Sequence, residues 1–504
     1  MVRQWLSTHR ILVKCVRGLE GTLERELLSL GFARNCLTKT RSGIIVEDAS
    51  LRKLYFLSYF TRISSGVYVE AASFPVKDKL SFTDRCAGVE WKQFLKPDSS
   101  FVVKGSISES TCFLHSGLYA SQLVKDGISH FFGRHLGNPS PTVSLRDPSI
   151  KVHVNIDHGE AKILVDAVGT PTSNRPYRYK PALDDMNPAV AAALLHDVGF
   201  ASHQENPFSI QQYEDMCEAK DYGCQSNDLE ETKRCFTSTP DPASRPKPKT
   251  LVSLFSCCGT FLIEAAMYAA RVAPGLLHSD FDFTKFSAYD DVSFKKLVDY
   301  ANYIRIPVNS DEYNVLERKF IGVESNWEKV EASLYSADKA GVMGLVHIIQ
   351  SDYMKDGLYD ACRSKLEGDQ WAYLIAHLPK LKQRFGSIPD NSAYHESDDI
   401  SHFPDSADTN KPYHATTRGT ATLKNHRKVA LDPCRYYRLA SNISKFRNRF
   451  FEEDTRCLLV VPTVVDIQSL SDSCCSDLRG GKHFMSGGIP CTAYVTRNAN
   501  EAQS

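Results

Sequence analysis

The sequence predicts two architectures in series: an α+β module over about the first 170 residues, then an α/β domain built on a doubly wound parallel sheet. Three observations carry this. Residues 150–169 (IKVHVNI-DHGE-AKILVDAVG) alternate apolar side chains on both sides of a glycine-containing turn, the pattern of an antiparallel hairpin. From residue 250 onward, the short apolar runs LVSLF (251–255), FIGVE (320–324), VHIIQ (346–350), WAYLIA (371–376) and CLLVV (457–461) alternate with helical stretches, which implies parallel strands joined by helices. Two polar segments lie before and within this pattern: 202–249, acidic and then Pro-rich, and 386–425, rich in Ser, Asp, Asn, Thr and Pro. Neither offers enough apolar surface to offset the entropy of ordering, so both are expected to be disordered insertions.

Each element follows from its own spacing. In residues 11–47, Leu19, Leu23, Leu27 and Leu30 recur at helical intervals and Gly31 supplies a stop, with strands before the helix and at GIIVE (43–47). Residues 51–68 predict a second helix with Leu54, Leu57, Tyr59 and Ile63 in its apolar set. FVVKGSI (101–107) predicts a strand, and residues 117–132 a helix that stacks Ala120, Val124 and Ile128. In the hairpin, Val152, Val154 and Ile156 are answered by Ile163 and Val165. In the second domain the first strand ends near Phe255, the turn is SCCGT (256–260), and a helix runs from about Phe261 to Arg271 before Pro274-Gly275.

Composition sets outer limits. A chain of 504 residues predicts about three domains. Hydrophobic residues at 42% and charged residues at 24% exclude fibrous and wholly disordered classes. No apolar run is long enough to span a bilayer, so no membrane partner is expected. Fifteen cysteines without a CxxC pair fit neither a zinc site nor a disulfide framework; no metal is expected, and a reducing compartment is. The opening MVRQWLSTHR lacks the apolar stretch of a signal peptide, which points to the cytoplasm, a short organellar presequence being compatible as well. The net charge of zero conceals an asymmetry. Residues 1–181 hold 25 Lys and Arg against 16 Asp and Glu, and the remainder holds 35 against 44. A basic front suggests nucleic-acid contact, with Arg41, Lys104 and Arg134 as candidate phosphate-binding cations.

In a parallel sheet, ligands bind beyond the carboxyl ends of the strands, near the first strand–turn–helix unit. Here that unit is residues 251–276, where Gly259 lets backbone N–H groups approach a ligand. Glu324, closing FIGVE, is placed to accept ribose hydroxyls, and Asp352, after the next strand, to meet the exocyclic amine of an adenine. A solvated loop acid or a helix N-cap is the alternative for each.

Taken together, LIEAAMYAARVAPGL (262–276), RGLEGTLERELLSLGF (17–32), residues 74–105, the 150–169 hairpin, RPYRYKPALDDMNPAVAAALLHDVGF (175–200) and GKHFMSGGIPCTAYVTR (481–497) resemble the THUMP-domain RNA methyltransferases, nearest to the bacterial 23S rRNA guanine-N2 type. The resemblance implies a ferredoxin-like segment over 1–50, a THUMP-like RNA-binding domain over 51–169, a linking helix over 170–201 and a Rossmann-like class I methyltransferase domain over 250–504. It implies S-adenosylmethionine as cofactor, held at Ser256, Gly259, Thr260, Glu324 and Asp352, and structured RNA as partner, rRNA first and tRNA second. The motifs depart from the family. Its cofactor loop DPxCGSGT is here Ser253 to Thr260, where only Gly259-Thr260 matches at the end and Cys257 stands at a glycine. Its acceptor motif Asn-Pro-Pro-aromatic is here His377, Leu378, Pro379 and Lys380, leaving His377 and Pro379 as the candidate catalytic positions. Two readings follow: an rRNA guanine-N2 methyltransferase with weakened cofactor binding, or an RNA-binding protein derived from one, catalytically inactive or an activating subunit.

Overall fold

The computed structural model describes residues 9–108, 114–135, 140–182, 185–201, 206–218, 250–317, 319–351, 371–378, 443, 456–462, 478–486 and 489–496. The front half builds one eight-stranded sheet from β1 (His9–Lys14), β2 (Leu37–Thr40), β3 (Gly43–Ala49), β4 (Gly66–Pro75), β5 (Ser100–Ile107), β6 (Thr142–Val143), β7 (Ile150–Asp157) and β8 (Glu160–Asp166), in the order β2-β3-β1-β4-β8-β7-β5-β6. Neighbours are antiparallel except β5, which runs parallel to β6 and β7. Because β4 pairs with β1 on one side and β8 on the other, residues on both sides of position 50 share one continuous sheet.

Four helices serve this sheet: α1 (Glu20–Ser29), α2 (Leu51–Phe60), α3 (Lys79–Ala87) and α4 (Gly117–His135). The β7–β8 hairpin turns through His158 and Gly159, at φ 48° and 74°, the two left-handed residues that a tight hairpin turn requires. Against the expectation of a helix over 51–68, α2 stops at Phe60. Thr61 turns to extended backbone (ψ 125°) and its hydroxyl donates to the Leu57 carbonyl at 2.6 Å, which ends the helical ladder. Gly105 of β5 and Gly117 of α4 lie back to back: a Cβ on either would fall 2.0–2.1 Å from the other's carbonyl oxygen, so α4 seats on the sheet only because both are glycine.

The second sheet contains β9 (Thr250–Leu254), β10 (Phe320–Glu324), β11 (Val346–Gln350), β12 (Trp371–His377), β13 (Arg456–Pro462), β14 (Leu478–Ser486) and β15 (Ile489–Thr496), in the order β11-β10-β9-β12-β13-β15-β14. The first five in that order are parallel, as expected. The sheet is nevertheless mixed, since β15 runs antiparallel to both β13 and β14. Its helices are α5 (Pro188–Asp197), α6 (Ile210–Glu218), α7 (Thr260–Ala269), α8 (Asp291–Ile304), α9 (Asp311–Leu316) and α10 (Trp327–Lys339). The linking helix expected over 170–201 is confined to α5, started by the Asn187 side chain accepting from the Ala189 amide and by Pro188 in the first turn. Helix α6 corrects the expectation that 202–249 is wholly disordered. Ile210, Tyr213 and Cys217 form a buried stripe, and the Tyr213 hydroxyl donates to the Ser293 carbonyl of α8 at 2.9 Å. Residues 202–205, 219–249 and 386–425 lie outside the described residues.

A single core joins the two sheets. Tyr55 and Tyr59 of α2 pack on Phe283 and Phe281, with ring centroids 4.7 and 5.8 Å apart. Beneath them sits a buried charge cluster. Glu264 of α7 receives Arg175 Nε at 3.1 Å and the Tyr177 hydroxyl at 2.9 Å, and Arg62 Nη1 stands 3.9 Å from its other oxygen. Arg62 donates onward to the Val272 carbonyl at 2.6 Å, while Arg175 donates to the carbonyls of Arg62 and Thr172. Glu26 of α1 accepts the Arg62 and Ile63 amides at 2.7 and 3.2 Å.

Burial pushes the Glu26 carboxyl up to about 7, the two amide hydrogen bonds opposing it only in part. Its folded value thus lies above the ordinary 4.5, so its contribution to stability is complete below that value and is lost as pH rises through about 7. Denaturant titrations of wild type and Glu26→Gln at matched pH are expected to show wild type losing stability relative to the variant between pH 4.5 and 7, with a constant difference above. A pH-independent difference would show that Glu26 does not titrate in this range.

Candidate functional site

The carboxyl ends of β9, β10 and β12 converge at the turn that leads into α7. The register places Leu254 beside Val323 of β10 and Ala376 of β12, so Glu324 and His377 each lie one residue beyond, at the same end of the sheet as the turn. Within the turn, Phe255 (φ 57°), Cys257 (φ 51°) and Gly259 (φ 76°) all adopt left-handed backbone. Two of the three therefore carry a side chain where glycine is the unstrained choice, at about 1–2 kcal/mol per residue. Gly259 also needs its missing side chain for space, because a Cβ there would lie 3.1 Å from Cβ and Oγ of Ser333 on α10.

The turn is pinned from three directions. Glu324, 8% exposed, accepts the Cys257 amide on Oε2 and the Ser325 and Asn326 amides on Oε1, all at 3.0 Å. Ser333 donates its hydroxyl to the Cys257 carbonyl at 3.0 Å. Thr260 donates to Asp185, 2.9 and 3.0 Å from its two carboxylate oxygens, and Arg178 pairs with the same carboxylate at 2.8 Å. Burial raises the Asp185 carboxyl above its ordinary value, with Arg178 and Thr260 pulling it back. The Ser256 hydroxyl is buried and has no hydrogen-bond partner among the described residues.

The candidate residues are distributed as follows. Ser256, Gly259, Thr260, Glu324 and His377 come together at one sheet end, the His377 ring edge-to-face with Phe261 of α7 at 6.2 Å between centroids. Thr260 spends its hydroxyl on Asp185 and so anchors the turn. Asp352 and Pro379 lie outside the described residues. The candidate RNA cations do not form one patch. Arg41 is exposed in the β2–β3 turn, its guanidinium 3.4 Å from the His158 ring. Lys104 is exposed on the face of β5 opposite α4, since its neighbour Gly105 faces that helix, whereas Arg134 is exposed on α4 itself. Sequence reasoning missed Asp185, Ser333 and Arg178. All three reach the turn through the tertiary fold, and no local pattern marks them.

Two family models match the chain: one described as THUMP domain over residues 80–166, and one described as RMKL-like, methyltransferase domain over residues 245–358. The chain carries a THUMP domain followed by an RMKL-like methyltransferase domain. Its sequence relatives include the Ribosomal RNA large subunit methyltransferase K/L of Saccharophagus degradans, 24% identical over 68% of this chain and 39% of that protein. The protein of the same name from Vibrio parahaemolyticus is 23% identical over 74% of this chain and 44% of its own length. The chain thus spans about two fifths of the length of the curated relatives it matches. Among solved structures, SMU.472, assigned as a methyltransferase and crystallised with SAH, superposes with a TM-score of 0.65 over 98% of both chains at 14% identity. TrmN from Thermus thermophilus gives 0.54 over 97% of this chain and 99% of its own, at 12% identity. The fold is therefore a THUMP-containing α+β module followed by a Rossmann-like methyltransferase domain.

Within the methyltransferase domain, Gly259→Ala combines a left-handed φ with a close approach to Ser333. Urea unfolding is expected to show a loss of at least about 1–2 kcal/mol. An unchanged midpoint would mean that the turn relaxes freely.

Proposed function

We propose that the chain is an S-adenosylmethionine-dependent RNA methyltransferase whose acceptor is the N2 amine of a guanine in rRNA. The observation that carries this reading is the joint placement of Gly259, Ser256, Glu324 and His377 at the carboxyl end of the central parallel strands. The K/L relatives support rRNA as the substrate class.

The residues present fit the cofactor. A carboxylate offers about four lone-pair sites, and Glu324 uses three of them on backbone amides, which leaves one for a ribose hydroxyl. Ser256 has an unpartnered buried hydroxyl, and the bare Gly259 backbone opens the N-terminal end of α7, where anionic groups are favoured. When bound, S-adenosylmethionine supplies an electrophilic methyl group on a sulfonium centre. The chain's own task is positioning. His377, one residue past the β12–β9 pairing, accepts a hydrogen bond from the acceptor amine through a neutral ring nitrogen and aims its lone pair toward the cofactor turn. The front module holds the RNA by its phosphates, with Arg41, Lys104 and Arg134 contributing from separate faces.

The second reading, an RNA-binding protein without transfer, draws support from Cys257. A buried thiol stands at the family's glycine, and the amide and carbonyl of that residue are already bonded to Glu324 and Ser333.

Calorimetric titration of the full chain with S-adenosylmethionine discriminates the two. Saturable binding is expected, weakened about tenfold or more in Glu324→Ala, since a hydrogen bond to a charged group contributes about 1.5–3 kcal/mol. Absence of binding at millimolar concentration would overturn the enzyme reading and leave the RNA-binding one.

A further inference from the structure

The β9–α7 turn contains an adjacent pair of thiols, Cys257 and Cys258, to which the methyl-transfer reading assigns no task. Their sulfur atoms and a carboxylate oxygen of Asp185 lie within 4.8 Å of one another. Both are reduced and buried, at 5% and 4% exposure, beneath Tyr179 and Ala182. The Cys258 sulfur accepts the Ala182 amide at 3.4 Å. Cys257 is held in left-handed backbone, with its amide tied to Glu324 and its carbonyl to Ser333.

We propose that Cys257 and Cys258 are a peroxide-reactive dithiol that closes to a disulfide within the turn. The hydrogen bond with the Cys257 thiol lowers the Cys258 thiol, burial and the Asp185 carboxylate oppose it, and the Ala182 amide acts with Cys257, leaving Cys258 below the ordinary thiol value. In this proposal Cys258, whose sulfur accepts the Ala182 amide beside the Cys257 thiol, is the sulfur that attacks as the thiolate. It attacks one oxygen of hydrogen peroxide, the O–O bond breaks, and the departing hydroxide takes up a proton as water, leaving a sulfenic acid on Cys258. The Cys257 sulfur then attacks that sulfur, the S–O bond breaks, the Cys257 proton leaves with the oxygen as a second water, and the S–S bond forms. Peroxide is reduced to water and the two thiols are oxidised. The resulting ring spans the Cys257–Cys258 peptide, whose carbonyl accepts from Ser333 and whose neighbouring amide donates to Glu324. Closure therefore reshapes the turn between those two anchors. Coupling of this closure to cofactor affinity rests on the methyltransferase reading; the oxidation itself does not.

Peptide mapping tests it directly. Cleavage after Lys249 and Arg271 releases residues 250–271, in which Cys257 and Cys258 are the only cysteines. After brief exposure of the full chain to hydrogen peroxide, this peptide is expected to lose two hydrogens, reversibly with dithiothreitol. In Cys257→Ser, dimedone is expected to trap a sulfenic acid at Cys258. In Cys258→Ser, the oxidation rate is expected to fall at least about tenfold, since the thiolate is the nucleophile. Irreversible sulfonic acid on one cysteine, a bridge to another peptide, or an unmodified 250–271 peptide beside oxidised cysteines elsewhere would overturn the proposal. S-adenosylmethionine titration of oxidised and reduced protein then isolates the coupling. A loss of about tenfold or more, restored by reductant, is expected. Equal affinities would overturn the coupling, whereas absence of binding to both forms would count against the cofactor reading, with the peptide map still deciding the disulfide.

Discussion

Glu264 sits on α7 a little over one turn beyond Gly259, and it is a group on which the two halves of the molecule meet. Arg175 and Tyr177 reach it from the segment that follows the front sheet, and Arg62 from the end of α2. At 1% exposure this carboxylate cannot be hydrated, so its charge is tolerable only while the two guanidinium groups face it. The same requirement acts on Arg62 and Arg175, whose donors are shared with the carbonyls of Val272, Thr172 and Arg62. A buried cluster of this kind adds little net stability compared with apolar packing. Removal of one partner, however, leaves an uncompensated charge at a cost of about 3–5 kcal/mol. Its effect is on placement: Arg62, Arg175 and Tyr177 meet Glu264 in the observed seating of α7 against the front module.

That seating transmits to the site. With α7 fixed, Thr260 at its first turn meets Asp185, Gly259 passes Ser333, and the Cys257 amide faces Glu324. The turn is therefore defined by side chains from β10, from α10 and from the segment before α5, not by its own sequence alone. This accounts for its tolerance of two non-glycine residues in left-handed backbone. Contacts to its backbone hold a conformation that glycine would otherwise supply.

Much of the fold was legible in the sequence because its signals are local. Alternation at Val152, Val154, Ile156, Ile163 and Val165 marked the β7–β8 hairpin, and the apolar runs beginning at Leu251, Phe320, Val346, Trp371 and Cys457 marked the parallel strands. Helix α6 was hidden in a polar segment, since a stripe of Ile210, Tyr213 and Cys217 is only two turns long and gains its stability from α8. The end of α2 was missed because Ile63 continues the apolar pattern after Thr61 has already left the helix. At the site, Gly259, Glu324 and His377 could be placed from strand ends. The occupation of Glu324 by three amides could not, and neither could the distribution of Arg41, Lys104 and Arg134 over different faces, because both depend on how distant segments are brought together.

The central claim is that the front module and the β9–α7 turn form one mechanical unit through Glu264. Hydrogen exchange of the full chain in wild type and Glu264→Gln tests it most directly. The expected result is a joint loss of amide protection in α7, in the 256–259 turn and in residues 61–67 of the front module. Loss confined to α7, with the front module unchanged, would contradict it.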